Sequence, residues 1–220
     1  MSYGIKIRVW GNYALFSRAE MKTERVTYDV ITPSAARGIL EAVFWHPGLR
    51  YQIDKIYVCR PIEFTNIRRN EVKSKILCSN AWNVMNGGDK ALYLSTKEDI
   101  VQRASLLLRN VEYVISAHFQ MTDQANASDN PGKFKDIIMR RLRKGECFHQ
   151  PYLGTREFPA HFALCEENDV RTAYDTVEEK DLGFMLYDFD YLEGGEIQPK
   201  FFRAVMRRGI LDLSECEVVR

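Results

Sequence analysis

Between residues 112 and 121 the apolar side chains fall on alternate positions: Tyr113, Ile115, Ala117, Phe119 and Met121. The interleaved positions Glu112, Ser116, His118 and Gln120 are polar, and Val114 alone breaks the pattern. Period-two alternation predicts a strand with one face on a core and the other open, with His118 on the open face. A histidine there can touch a ligand and change charge near neutral pH, although it also reads as a plain surface histidine. Ile5, Ile7 and Val9 predict a first strand whose other face carries Lys6, Arg8 and Trp10. A second strand is expected at about residues 53–64. A fourth is expected at 157–165, with Phe158, Ala160, Phe162 and Leu164 on one face.

Helical spacing appears twice. Thr32 and Pro33 open a helix as N-cap and first helical residue, and Ala36, Ile39, Leu40, Val43 and Phe44 form its apolar stripe up to Pro47-Gly48. A second helix spans about 133–144 on Phe134, Ile137, Ile138 and Leu142, with Gly145 just past its end. Residues 65–110 place charged segments around the turn signal Asn86-Gly87-Gly88-Asp89, which predicts a long hairpin insertion. Residues 167–220 read as a small C-terminal antiparallel β lobe, with strands at 183–191 and 201–206.

The predicted class is α+β. The order β-α-β-β-α-β over residues 1–166 is the ferredoxin-like (RRM-like) pattern. Its strand order, 4-1-3-2, makes the first and third strands neighbours, so Lys6, Arg8 and Trp10 share the open face with Ser116 and His118. RNA-recognition modules use such a face for stacking and phosphate contacts. The fold serves many functions, so this step is analogy.

Charge changes the picture. The formal net charge is +1, but residues 1–165 hold 24 Lys+Arg against 16 Asp+Glu, whereas residues 166–196 hold eleven acids against two bases. That asymmetry predicts a basic surface for a polyanion and an acidic lobe elsewhere, beside the plainer reading of solvated charge. No apolar run is long enough for a membrane span, and the N-terminus lacks a signal-peptide core. Five scattered cysteines without a CxxC pair fit free thiols in a reducing cytoplasm, with neither a disulfide framework nor a zinc site.

Nucleotide-binding glycine motifs, H-E-x-x-H and G-x-S-x-G are all absent, so no cofactor and no metal is expected. RNA permits cleavage without a metal, because its 2′-OH can attack the adjacent phosphate. A base takes the 2′ proton, an acid protonates the leaving 5′ oxygen and a cation steadies the phosphorane. Among four histidines, His118 is the first candidate. His46, after the first helix, is a second, because the helix end falls near the end of the third strand; it also reads as a favourable charge at a helix C-terminus. His149 and His161 read as incidental.

Several motifs together resemble a known family, the CRISPR-associated Cas-five proteins of subtype I-C. They are Val9-Trp10-Gly11-Asn12-Tyr13-Ala14-Leu15-Phe16, the run Tyr28 to Glu41, Arg68-Arg69-Asn70-Glu71, Ala117-His118-Phe119, Tyr152 to Phe158 and Asp181-Leu182-Gly183. The resemblance covers nearly the whole chain. It implies an endoribonuclease that cuts precursor CRISPR RNA within its repeats and holds the 5′ handle inside the interference complex. The implied partners are precursor and mature CRISPR RNA, the other subunits and target DNA. The family's metal-independent site joins a tyrosine, a lysine and a histidine. The histidine falls on His118, the tyrosine on Phe44 and the lysine at or near Ser116. Two of the three groups are therefore absent. Either other residues supply them, with His46 as second acid/base and Lys6 or Arg8 as the cation, or the protein is a non-catalytic RNA-binding subunit. The expected RNA contacts are Arg8, Trp10, Arg18, Lys22, Arg25, Arg37, Arg68, Arg69, Arg140 and Arg141. A small-molecule enzyme on the same fold is the remaining alternative, disfavoured by the lack of any cofactor motif.

Overall fold

A computed structural model describes residues 4–21, 24–89, 91–192, 194–214 and 216–219. The chain divides into two compact units, Met1–Thr65 with Leu106–Arg220, and Asn66–Ser105. The first is a mixed α/β unit built on a large antiparallel sheet. Its strands are β1 (Ile5–Ala14), β2 (Arg25–Val26), β3 (Leu49–Val58), the later part of β5 (Ile100–Met121), β6 (His161–Leu164), β7 (Lys180–Tyr191), β8 (Ile197–Arg207), β9 (Ile210–Asp212) and β10 (Val218–Val219). Its helices are α1 (Pro33–Val43) and α3 (Pro131–Lys144). In the sheet the order runs β10-β8-β9-β3-β5-β1-β6, with β7 paired to β8. The C-terminal residues therefore continue the sheet: Ile210 and Leu211 of β9 pair with Tyr57 and Ile56 of β3.

The local signals act where they were expected. Thr32 Oγ1 accepts the N–H of Ala35 and Pro33 begins α1, satisfying a helix donor that has no partner in the first turn. Asn130 does the same for Lys133, so α3 begins at Pro131, ahead of the expected 133, and Gly145, at φ 67°, closes it. One face of β1, β3 and β5 packs on both helices: Ile7, Tyr51, Ile115 and Phe119 join Ile39, Leu40, Phe134 and Ile138 in one core. The second strand is displaced from expectation. It ends at Val58, and β4 (Phe64–Val72) begins separately. The fourth strand is shorter than expected, only His161–Leu164.

The opposite sheet face is covered at one end. Cys165 and Val170, beyond β6, bury Val114 together with Tyr57 and Cys59. This explains the single apolar residue on the polar side of β5. Burial pushes the Cys59 thiol up to about 11, so it stays protonated at neutral pH.

Two of the sequence motifs meet at glycines. A Cβ on Gly11 would lie 2.6 Å from Leu153 Cδ1, and one on Gly154, at φ 88°, would lie 2.0 Å from the carbonyl oxygen of Leu15. Leu15 N–H in turn donates to the Leu153 carbonyl at 3.0 Å. The backbone at Gly154 cannot retreat without losing that pairing. Gly154→Ala should cost about 2–3 kcal/mol of stability, combining a left-handed backbone with overpacking. Urea unfolding of the variant measures it.

In the second unit β4 pairs with the first part of β5, and α2 (Cys78–Met85) lies between them with no buried residue. Trp82 and Met85 are exposed on that helix.

Candidate active site

Register places the polar side chains. On β5, Ser116 lies opposite Lys6 of β1 on one side and Lys55 of β3 on the other. His118 lies opposite Gln52, and Gln120 opposite Arg50. Paired residues share a sheet face, so Lys6, Arg50, Gln52, Ser116, His118 and Gln120 look the same way. A β-bulge interrupts β3: Ile53 pairs with Ala117 and Lys55 with Ser116, leaving Asp54 as the extra residue. Asp54 follows Gln52 on the open face, the bulge turns Lys55 away from the core as well, and His118 Nδ1 lies 2.7 Å from Asp54 Oδ1. An ionised carboxylate only accepts hydrogen bonds, so Nδ1 carries the proton and donates it. In the neutral ring Nε2 is then the basic nitrogen. The His118 side chain keeps 19% of its surface exposed.

Two lysines flank Ser116, two residues from this histidine, with different electrostatics. Lys6 Nζ donates to the carbonyl oxygen of Glu167 at 3.2 Å, a neutral partner, and makes no ion pair among the described residues. Lys55 Nζ is 2.7 Å from Asp212 Oδ2. Burial would raise the Asp212 carboxyl, but hydrogen bonds from Lys55 and Ser214 outweigh it and hold the group at about 2. Lys55 therefore faces a permanent carboxylate. Lys6 and Ser116 also line one surface cleft with Cys165 and Glu167. Among the described residues no three His, Cys, Asp or Glu side chains come together to hold a metal ion.

His46 is not brought to His118, contrary to the expected pairing. Its ring lies 4.9 Å from that of Phe134, on the helix-bearing side of the sheet. Its Nδ1 accepts the Gly48 N–H at 3.0 Å, and Nε2 is 3.7 Å from Asp129. The chain leaves α1 toward the helix layer, and strand alternation sends residue 118 to the opposite face. Phe44 packs on Phe134, and Arg141 lies over its ring. One phenol of this region, Tyr51, donates to the Phe44 carbonyl at 2.9 Å. Burial raises that phenol far above its ordinary range.

The expected RNA contacts separate into groups. Arg8 bridges Glu112 and Glu167, so its charge is spent internally. Burial pulls the Glu112 carboxyl up, but hydrogen bonds from Arg60 and Arg8 prevail and keep it below the ordinary range. Arg18 pairs with Asp29, and Arg25 lies 3.4 Å from Glu157. Arg37 is held between Glu41 and Asp188, both at 2.7 Å. Arg141 donates to the Val43 carbonyl at the end of α1. In the second unit Arg69 donates to Ser105. Arg68 and Arg140 are exposed and make no ion pair among the described residues. Trp10, 37% exposed, stacks on His161 with ring centres 5.8 Å apart. Lys22 lies outside the described residues.

Sequence reasoning missed Asp54 and Lys55, although a signal existed. Apolar residues in β3 run 49, 51, 53, then 56 and 58, a slip of one that marks a bulge. It also missed a cleft of about 280 Å³ beside the site, where Arg50, Gln52, Gln120 and Tyr187 meet Arg37 and Asp188.

Comparison with known proteins follows the same outline. A family model described as CRISPR-associated protein (Cas_Cas5) matches residues 4–213. A protein of Mannheimia succiniciproducens named CRISPR pre-crRNA endoribonuclease Cas5d is 47% identical over 97% of this chain and 96% of its own. One of the same name from Thermus thermophilus is 39% identical over 95% of this chain and 90% of its own. A solved structure described as a CRISPR-associated protein has a TM-score of 0.71 at 24% identity, covering 100% of this chain and 97% of the other, and so shares the fold. The motifs around Trp10, Thr32, His118 and Gly154 thus lie in a chain that belongs to the Cas5 family of CRISPR-associated proteins, of type I-C.

Proposed function

We propose that this protein is a metal-independent endoribonuclease that cuts precursor CRISPR RNA within its repeats and stays on the 5′ handle as a subunit of the type I-C interference complex. The observation that carries the reading is His118, anchored by Asp54 through Nδ1 at 2.7 Å, with Nε2 basic and Lys6 on the same sheet face opposite Ser116. Two relatives named pre-crRNA endoribonuclease, matched over nearly their full length, support it.

In this reading the RNA lies over the polar end of the sheet. His118 Nε2 takes the 2′ proton, and the 2′ oxygen attacks phosphorus. Lys6 steadies the phosphorane, and the P–O5′ bond breaks as the 5′ oxygen takes a proton from solvent water. The products carry a 5′-OH and a 2′,3′-cyclic phosphate, or a 3′-phosphate after its hydrolysis. Trp10 on His161 is a stacking platform for a base. Arg68 and Arg140 supply phosphate contacts, while Arg8, Arg18 and Arg37 act as struts that shape the surface through their carboxylates.

The elements β1-α1-β3-β5-α3-β6, with β6-β1-β5-β3 side by side, are read as a ferredoxin-like body. Residues 167–220 are read as its C-terminal lobe and 65–110 as its protruding hairpin. No described helix is long and apolar enough to cross a membrane, and we place the reaction in the cytoplasm. The remaining subunits and target DNA are the further partners of this reading.

A second reading is favoured by Phe44 and Ser116, which stand where the family's tyrosine and lysine are expected: a subunit that binds the RNA without cutting it. Incubation with end-labelled repeat RNA in EDTA separates the two. The first reading expects one discrete cut, whereas bound but intact RNA supports the second. Under either, affinity should fall about twentyfold from 50 to 200 mM salt, the loss for three phosphate contacts on a single strand. A titration at several salt concentrations checks this, and salt-independent binding would remove the phosphate contacts from the account.

A further inference from the structure

We infer that Asp54 is a positioning residue for RNA cleavage, fixing the tautomer and ring direction of His118 so that Nε2 meets the reacting 2′-OH. The inference rests on the endonuclease reading of His118 and goes beyond it. Three observations carry it. The bond from His118 Nδ1 to Asp54 Oδ1 is 2.7 Å, within the range of a charge-assisted pair. Asp54 is the bulged residue of β3 and follows Gln52, the residue opposite His118, onto the open face. The bulge is also fastened from outside, since the Leu213 N–H donates to the Asp54 carbonyl at 2.8 Å. The carboxylate is thus aimed by backbone on both sides and does not depend on a flexible stem.

The chemistry needs such an anchor. A free neutral imidazole divides its proton between two nitrogens and rotates about its side-chain bonds. With Nδ1–H committed to Asp54, the lone pair is on Nε2. When Nε2 accepts the 2′ proton the ring becomes imidazolium, and Asp54 balances that charge without taking a proton itself. The other neighbours cannot do this. Gln52 and Gln120 are uncharged and bond each other at 3.4 Å, and Lys55 is held by Asp212.

The test uses the full-length protein with Asp54→Ala, Asp54→Asn, Asp54→Glu and His118→Ala. Nitrogen-15 NMR of the RNA-free protein reads the His118 tautomer, and single-turnover cleavage with RNA binding reads its consequence. The inference expects the Nδ1–H tautomer in the parent protein and its loss in Asp54→Ala. The cleavage rate should fall about 10- to 100-fold in Asp54→Ala and Asp54→Asn, on the scale set by the outer partners of metal-bound histidines. RNA affinity should be unchanged, and Asp54→Glu should recover part of the rate. A merely structural role would lower stability and binding while leaving the tautomer alone. An Nε2–H tautomer in the parent protein, or an Asp54→Ala variant that cuts at the parent rate, would overturn the inference. Full activity in His118→Ala would overturn the endonuclease reading beneath it, an outcome distinct from failure of Asp54 alone.

Discussion

Cleavage of repeat RNA should slow by about 100- to 10,000-fold when His118 is replaced by alanine, the usual worth of one placed proton-transfer group. On the barrier this is about 3–5 kcal/mol. Affinity for the RNA should hardly change, because it is carried by phosphate contacts spread over the surface. The structure supplies the matching control. His46 is the other histidine beside a helix and strand end, but its Nδ1 is engaged by Gly48 and its ring packs on Phe134. His46→Ala should therefore cut at close to the parent rate, with any cost appearing as lost stability. Single-turnover kinetics on both variants decides between them. A slow His46→Ala beside a normal His118→Ala would reverse the assignment.

Much of the frame was legible because it rests on short-range rules. Thr32-Pro33 announces a helix start, Gly145 announces an end, and the alternation in β5 announces which face His118 takes. What remained hidden depends on how strands meet. The bulge at Asp54 slips the register by one, and strand pairing sets a carboxylate from β3 against a histidine 64 positions later. Lys55 and Lys6 flank Ser116 from two different strands, so a lysine missing at one position has cationic neighbours that no local motif reveals. The same holds for the cover over Val114: Cys165 and Val170 come from beyond β6. Charge was misjudged for a related reason. Arg8, Arg18 and Arg37 count as free cations in a sequence, yet each meets a carboxylate supplied from elsewhere in the fold. A tally of charges measures potential contacts, whereas the folded surface offers only those left after such pairing.

The nucleophile itself decides the account most directly. If the attacking group is the RNA's own 2′-OH, removing that one oxygen from the nucleotide 5′ of the cut removes the reaction and leaves the phosphate contacts intact. Two repeat RNAs, identical except for a 2′-deoxy sugar at that position, should be compared with excess protein in EDTA. The account predicts that both bind with the same affinity, that the unmodified RNA is cut to a 5′-OH product, and that the deoxy RNA stays whole. Cleavage of the deoxy RNA, or cleavage of the unmodified RNA that stops in EDTA and returns with a divalent metal, would contradict it.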